Sequence, residues 1–241
     1  MTLLALETAT SVCAAALIRN GVVITEHSVE LPRVHSEKLL LLVDGACSTA
    51  GISIDSVDAF VVSIGPGSFT GLRIGLSVAK GLSYSLDKPL VAVPTLEALA
   101  YHTARSIQKK KHEWILPMID ARRDDVYCAV YRDTGCWLEE IAPAHSTTLD
   151  GVMKTISGYN EVLITGDAVE KYQKYTRLKR FGPSCKITIP PQDHLACRAS
   201  SVGLLGEHRF TRGEAADISS LEPFYVKDFY PPVHPYHESA N

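Results

Sequence analysis

The chain reads as an α/β protein of two related lobes built on mixed sheets, and three observations lead there. Apolar strand-like runs alternate with helix-like runs along most of the 241 residues, the rhythm of sheets covered by helices. Each half opens on a strand, a polar turn and a returning strand. The second such unit, "ILPMIDARRDDVYCAVYRDTG", can be laid over the first, "LLALETATSVCAAALIRNG", placing Asp120 on Glu7 and, with one added residue, Gly135 on Gly21. The match is one of pattern, with little identity. Strand-turn-strand units also recur without common origin; as an internal duplication, the match implies two lobes facing a cleft. The expected division is 1–103 for the first lobe and 104–230 for the second, whose last helix returns to the first, with a polar tail at 231–241.

The elements follow in order. "LLALE" is an apolar strand ending at Glu7, and two further strands flank Asn20-Gly21, the strongest short hairpin signal. After Pro32 comes a helix with Ser36 as a plausible N-cap and Gly51 as its stop. "DAFVVSI" is a buried-type strand, followed by a glycine turn and the helix "TGLRIGLSVAKGLSYSL". "PLVAV" is a short strand and "PTLEALAYHTARS" a helix with Pro94 at its first turn. In the second half, "EVLITGDAVEKY" reads as strand, glycine turn and helix, "HLACRASSVGLLGEHRF" as an amphipathic helix, and "LEPFYVKDF" as a closing strand or extended segment.

Composition narrows the function. The net charge is −3, whereas a protein that grips nucleic acid alone carries a basic excess, because phosphate contacts dominate its affinity. The local run Lys109, Lys110, Lys111 is either a solvated loop or a polyanion contact. Six cysteines are scattered without a CxxC pair, which gives no support to a zinc knuckle or a thioredoxin-like motif. No apolar run approaches the roughly 18 residues needed to span a bilayer, and no secretory leader is seen. The expectation is a soluble protein of the reducing cytoplasm.

The motif with most chemical content is "SIGPGSFTGLRIG", residues 63–75. It is neither GxGxxG nor GxxxxGK[ST]. Gly65 and Gly67 flank Pro66 in a tight turn, Ser68 or Thr70 can cap the next helix, and a helix start attracts anions. Gly71 and Gly75, four apart, let that helix approach a neighbour closely. A phosphate turn and a purely structural corner remain equal readings. In "HSEKL", His35 would need a second histidine at position 39 to bind metal from one helix face, and that residue is Leu39; no metal site follows. Residues 39–43, "LLLLV", cover every side of a helix, so the helix is buried all round or has one face on its core and another on a partner. Asp120 ends a strand as a nucleotide-binding lobe would require, but Arg122, Arg123, Asp124 and Asp125 fill the turn where glycines would open a phosphate cradle. No GxSxG, HExxH or Cys-His constellation identifies a catalytic residue. His234 and His237 lie in the tail.

In this order, "LLALETATS", "HSEKLL", "DAFVVSIGPGSFTGLRIGLSVAKGL", "PTLEALA", "IDARRDDVYCAVY" and "EPFYVKDF" resemble the bacterial TsaB (YeaZ) family over residues 1–230. TsaD proteins have a similar Gly-Pro-Gly turn together with a metal-binding HxxxH helix, which Leu39 breaks. The resemblance implies an actin/Hsp70-like (ASKHA) fold with a degenerate nucleotide cleft and no independent catalysis. It implies a heterodimer with TsaD and, with TsaE, support for threonylcarbamoyl transfer to N6 of adenosine 37 in tRNAs reading ANN codons. A TsaC-type enzyme supplies the adenylate. Transfer RNA would be met only through the complex, a homodimer would form when the partner is missing, and ATP or ADP would be held, if at all, at the complex junction. Family interfaces correspond here to residues 35–46 and 70–83, with His35, Glu37, Leu39, Leu42, Val43, Ala46, Thr70, Arg73, Ile74 and Ser77 as candidate contacts. The vestigial phosphate turn would comprise Glu7, Thr8, Gly65, Gly67, Ser68, Thr70, Gly71 and Asp120. A working ATPase or phosphotransferase of the same fold is the competing reading, resting on Glu7, Asp120 and residues 65–71. A peptidase, a label that related proteins have carried, finds no supporting feature.

Overall fold

The computed structural model describes residues 1–30, 35–107, 112–179 and 185–226. The lysine run, Pro32 and the tail histidines lie outside them. Two five-stranded sheets organise the chain. The first contains β1 (Thr2–Glu7), β2 (Val12–Arg19), β3 (Val22–Glu30), β4 (Ala59–Gly65) and β5 (Leu90–Pro94), in the order β3-β2-β1-β4-β5. The second contains β6 (Trp114–Asp120), β7 (Asp125–Asp133), β8 (Leu138–Thr148), β9 (Glu161–Thr165) and β10 (Lys186–Thr188), in the order β10-β9-β6-β7-β8. Read from the opposite edge, the second order repeats the first. Pairing repeats too: an antiparallel meander of three strands, then two parallel strands beside its first. The duplication expected from the two strand-turn-strand units is therefore present as topology.

Strand alternation sorts the first sheet's side chains onto two faces. Leu3, Ala5, Ala16, Ile18 and Val61 face α6 (Ala199–Thr211), while Leu4, Leu6, Ala15, Leu17 and Phe60 face α1 (His35–Ala50) and α2 (Phe69–Ser85). Gly203 and Gly206 let α6 lie close, since a Cβ on either would fall inside Ile18 or Val61. The second sheet packs α3 (Thr95–Ser106) on one face through Leu96, Leu99 and Ala100. Its other face takes α4 (Leu149–Ile156) and α5 (Val169–Lys179). Helix α6 comes late in the chain yet returns to the first sheet, leaving α3 and α6 together between the sheets.

Local signals explain most element boundaries. Asn20 and Gly21 take φ of 50° and 75° in the β2–β3 turn, as a two-residue hairpin with the right twist requires. Gly51 ends α1 with φ 63°. Ser68 caps α2 by accepting from the Gly71 amide at 3.2 Å. Two expectations need correction: α1 begins at His35, so Ser36 lies inside its first turn rather than capping it, and Pro94 caps α3 instead of opening it. The described part of the closing segment, residues 221–226, joins neither sheet as a strand. No described helix is long and apolar enough to cross a membrane.

Candidate functional site

The glycine turn packs against the turn that follows β1. A Cβ built on Gly67 would lie 2.2 Å from the Ala9 carbonyl oxygen, and one on Gly71 2.1 Å from that of Thr8. Gly75 is pressed by the Thr8 hydroxyl in the same way, and Gly65 by the Phe224 carbonyl. Three of the turn's amides are engaged as well. Ser68 donates its amide to Ala9 O at 2.7 Å, Gly65 donates to Thr95 Oγ1 at 3.0 Å, and Gly71 serves the Ser68 cap. Thr8 Oγ1 returns a bond to Gly71 O at 2.8 Å. The glycines thus make room for the chain's own backbone.

Glu7 lies fully buried at the end of β1. Its Oε1 accepts the Ala9 amide at 2.7 Å, and Cys197 Sγ donates to Oε2 at 3.4 Å. Ser63, buried beside them, forms no well-aligned bond of its own but helps draw the Glu7 pKa down. Burial outweighs these contacts, and the pKa is raised. The Cys197 thiol is pushed well above its usual value, first by burial and then by the Glu7 charge. His35 Nε2 bonds Thr10 O at 3.1 Å, so this histidine ties the start of α1 to the β1–β2 turn. Among the described residues no cluster of His, Cys, Asp or Glu has the makings of a metal site.

Asp120 stands apart from this group. Its carboxylate pairs with Lys171 Nζ at 2.9 Å and caps the Arg122 amide at 2.9 Å. Arg122 and Arg123 both take left-handed conformations, φ 66° and 51°, a cost of about 1 kcal/mol or more each. Residues 121–124 join β6 to β7 in a tight turn, closed by the Asp125 amide on Arg122 O and the Ala121 amide on Asp125 O, both at 3.2 Å, without the extended run of amides that cradles a phosphate. Between the β1–β2 turn and the second sheet lies a cavity of about 450 Å³, whose walls include Thr10, Ser11, Ile119, Asp167, Cys197 and Arg198. Glu30 and Asp193 complete its charged lining, so three carboxylates face one guanidinium. Asp167 accepts the Asp120 amide at 2.8 Å, and burial raises its pKa. The start of α6, which could draw an anion, already holds the Glu26 carboxylate through Ser200 N and Oγ at 3.2 and 2.8 Å.

The two helices singled out as an interface divide their residues. On α1, His35, Leu39, Val43 and Ala46 are buried against the first sheet. These four candidate contacts occupy the stripe that faces β2 and β3, so in the single chain they belong to the core. Glu37 is exposed and Leu42 half-buried. The exposed apolar side chains of this helix are Leu40 and Leu41, 56% and 62% accessible, and neither is among the candidate contacts. On α2, Thr70, Arg73 and Ser77 share an exposed face with Tyr84, and Ile74 is half-buried. Spacings of three, four and seven place Thr70, Arg73, Ser77 and Tyr84 on one side of the helix. A groove of about 470 Å³ runs beside α1, lined by Leu40, Asp44, Ser48, Ile52 and Ile54 among others.

Comparison with known proteins adds an independent line. Residues 27–207 match the family model described as TsaD, tRNA N6-adenosine threonylcarbamoyltransferase. The chain is 28% identical over 231 residues to the tRNA threonylcarbamoyladenosine biosynthesis protein TsaB of Escherichia coli, covering 95% of each. It is 30% identical to the TsaB protein of Bacillus subtilis, covering 94% of each. Among solved structures, YeaZ from Pseudomonas aeruginosa superposes with a TM-score of 0.77 at 27% identity, over 93% of this chain and 99% of that one. A ROK family glucokinase from Streptomyces griseus, solved with glucose and AMPPNP, superposes at 0.51 and 11% identity over 86% of this chain and all of that one; that likeness is one of fold, the actin-like duplicated α/β architecture.

Proposed function

The chain belongs to the TsaB (YeaZ) family of tRNA threonylcarbamoyladenosine biosynthesis proteins, and on that premise we propose that it is a non-catalytic scaffold subunit. In this reading it pairs with a TsaD-type transferase through α1 and α2. With TsaE it supports threonylcarbamoyl transfer to N6 of adenosine 37 in tRNAs reading ANN codons. It works in the cytoplasm, touches tRNA only as part of the complex, and self-associates through the same helices when alone. The observation that carries the proposal is the closed glycine turn: Thr8, Ala9 and Phe224 carbonyls fill the space against Gly71, Gly67 and Gly65. A phosphate cradle needs that space. The lobes 1–103 and 104–230 then serve as a frame for the helix face, around a nucleotide cleft that has lost its function.

The test is reconstituted tRNA threonylcarbamoylation with purified TsaD, TsaE and the adenylate-forming enzyme, with and without this chain. Modification should depend on the chain, and the chain alone should turn nothing over. Equal modification in its absence sinks the proposal. The second reading, an ATPase or phosphotransferase, draws on the 450 Å³ cavity and on buried Glu7 beneath it. Micromolar binding and hydrolysis of ATP by the isolated chain would favour it, whereas nucleotide held only after the heterodimer forms fits the scaffold.

A further inference from the structure

After α6 the chain crosses to the opposite face of the first sheet and straps α2. Ala216 donates its amide to Leu90 O at 2.8 Å, Ile218 and Leu221 join the cluster that holds Leu76 and Ala79, and Phe224 donates to Ile64 O at 2.7 Å. The strap ends on the first turns of α2. Tyr225 lies 5.1 Å from the Phe69 ring, between centroids, and its hydroxyl accepts from Arg73 Nε at 2.9 Å. The Arg73 guanidinium carbon sits 3.9 Å over the Phe69 ring. This arginine, exposed on the α2 face, is held at Nε and along its plane. Among the described residues no carboxylate pairs with it.

With Nε taken by Tyr225, the end of the guanidinium that carries both Nη groups still matches the two oxygens of a carboxylate. Resting on the scaffold reading above, we infer that Arg73 is the charged anchor of the α2 face and binds a surface Asp or Glu of the transferase partner. Tyr225 and Phe69 are its positioning residues. Tyrosine and arginine beside a well-packed aromatic ring have the composition of an interface hot spot. A protein carboxylate suits the site better than a nucleic-acid phosphate. Phosphate backbones are gripped by several cations together, and Lys80 is the one other cation on α2. The strap also explains the "EPFYV" segment, which has no role in the sheets.

The experiment measures the affinity of the full chain for purified transferase by calorimetry, for wild type, Arg73→Lys, Tyr225→Phe and the double variant, each with a thermal melt. Arg73→Lys keeps the charge and loses the fork, and should weaken pairing about 10- to 100-fold. Tyr225→Phe keeps the ring and loses one hydrogen bond, and should weaken it about 5-fold. In the double variant the Tyr225 effect should vanish, because it acts through Arg73. Melting temperatures should stay within a few degrees of wild type. Wild-type affinity in both single variants overturns the inference while leaving the scaffold reading intact. Losses of binding that merely track losses of melting temperature also overturn it, since the strap would then be structural only. A change confined to self-association, or to tRNA binding by the assembled complex, assigns the arginine to another occupant and does the same. If wild type fails to bind the transferase at all, the scaffold reading itself falls and this inference goes with it.

Discussion

Replacing Gly71 by alanine tests the corner directly, and Gly81 on the same helix supplies the control. A Cβ on Gly71 would stand 2.1 Å from Thr8 O, whereas one on Gly81 would meet nothing within 4 Å. To reach ordinary contact, the start of α2 must retreat by about 1 Å, an overpacking cost of about 1–3 kcal/mol. The retreat also stretches Thr8 Oγ1–Gly71 O at 2.8 Å and Ser68 N–Ala9 O at 2.7 Å, each worth about 1 kcal/mol. Alanine's helix preference over glycine returns about 1 kcal/mol, leaving a net loss of about 2–4 kcal/mol. At about 2–4 °C per kcal/mol for a chain of this size, Gly71→Ala should melt roughly 5–15 °C lower. Gly81→Ala keeps only the propensity gain and should melt about 1–4 °C higher. Thermal unfolding followed by far-UV circular dichroism reads both. A Gly71→Ala variant that melts with wild type would show that the turn has room, and the argument against a phosphate cradle would fail.

Three further outcomes are expected. Val43→Arg places a guanidinium in the core at a 4% accessible position and should cost about 3 kcal/mol or more; Leu41→Arg, on the exposed face, should leave the melt unchanged while weakening heterodimer formation on a sizing column, and equal melts for the two would refute the division of α1. Burial raises the Glu7 pKa above 4.5, so the stability gained from its protonated form is full below about pH 4.5 and is lost as pH rises through the folded value. In urea unfolding, wild type should therefore lose stability relative to Glu7→Gln between pH 4.5 and 7.5, and a constant difference would contradict the shift. Of the six cysteines, Cys136 is exposed and the other five are buried, so a thiol reagent should titrate one fast equivalent in the native protein and six after denaturation; rapid reaction at Cys197 would mean that Glu7 is not sealed.

Much of the architecture was legible in the residues themselves. Continuous apolar runs and Asn20-Gly21 act within a few residues, so the first three strands and their turn could be read locally. Elements with weak local signals were not: β8 is a polar edge strand carrying Pro143, α4 spans two turns, and β10 has three residues. Pairing with β7 and β9, and packing on the second core, hold them in place. The duplication could be suspected from Glu7 and Asp120, but its proof lies in the repeated strand order, which is a property of pairing.

The candidate site divides the same way. The sequence by itself determined that a glycine-rich corner, an acidic strand end and an all-apolar helix run would be present, because each rests on backbone freedom or periodicity over a short span. Only the tertiary structure decided what each one faces. Leu39 and Leu41 are chemically identical, yet the first is 1% accessible and the second 62%, since a helix stripe acquires a direction only when a sheet packs against it. Gly71 is closed by Thr8 and Arg73 is held by Tyr225, 152 residues away in the chain. Contacts across such separations leave no local trace in the sequence, because burial and close approach arise only once distant segments meet.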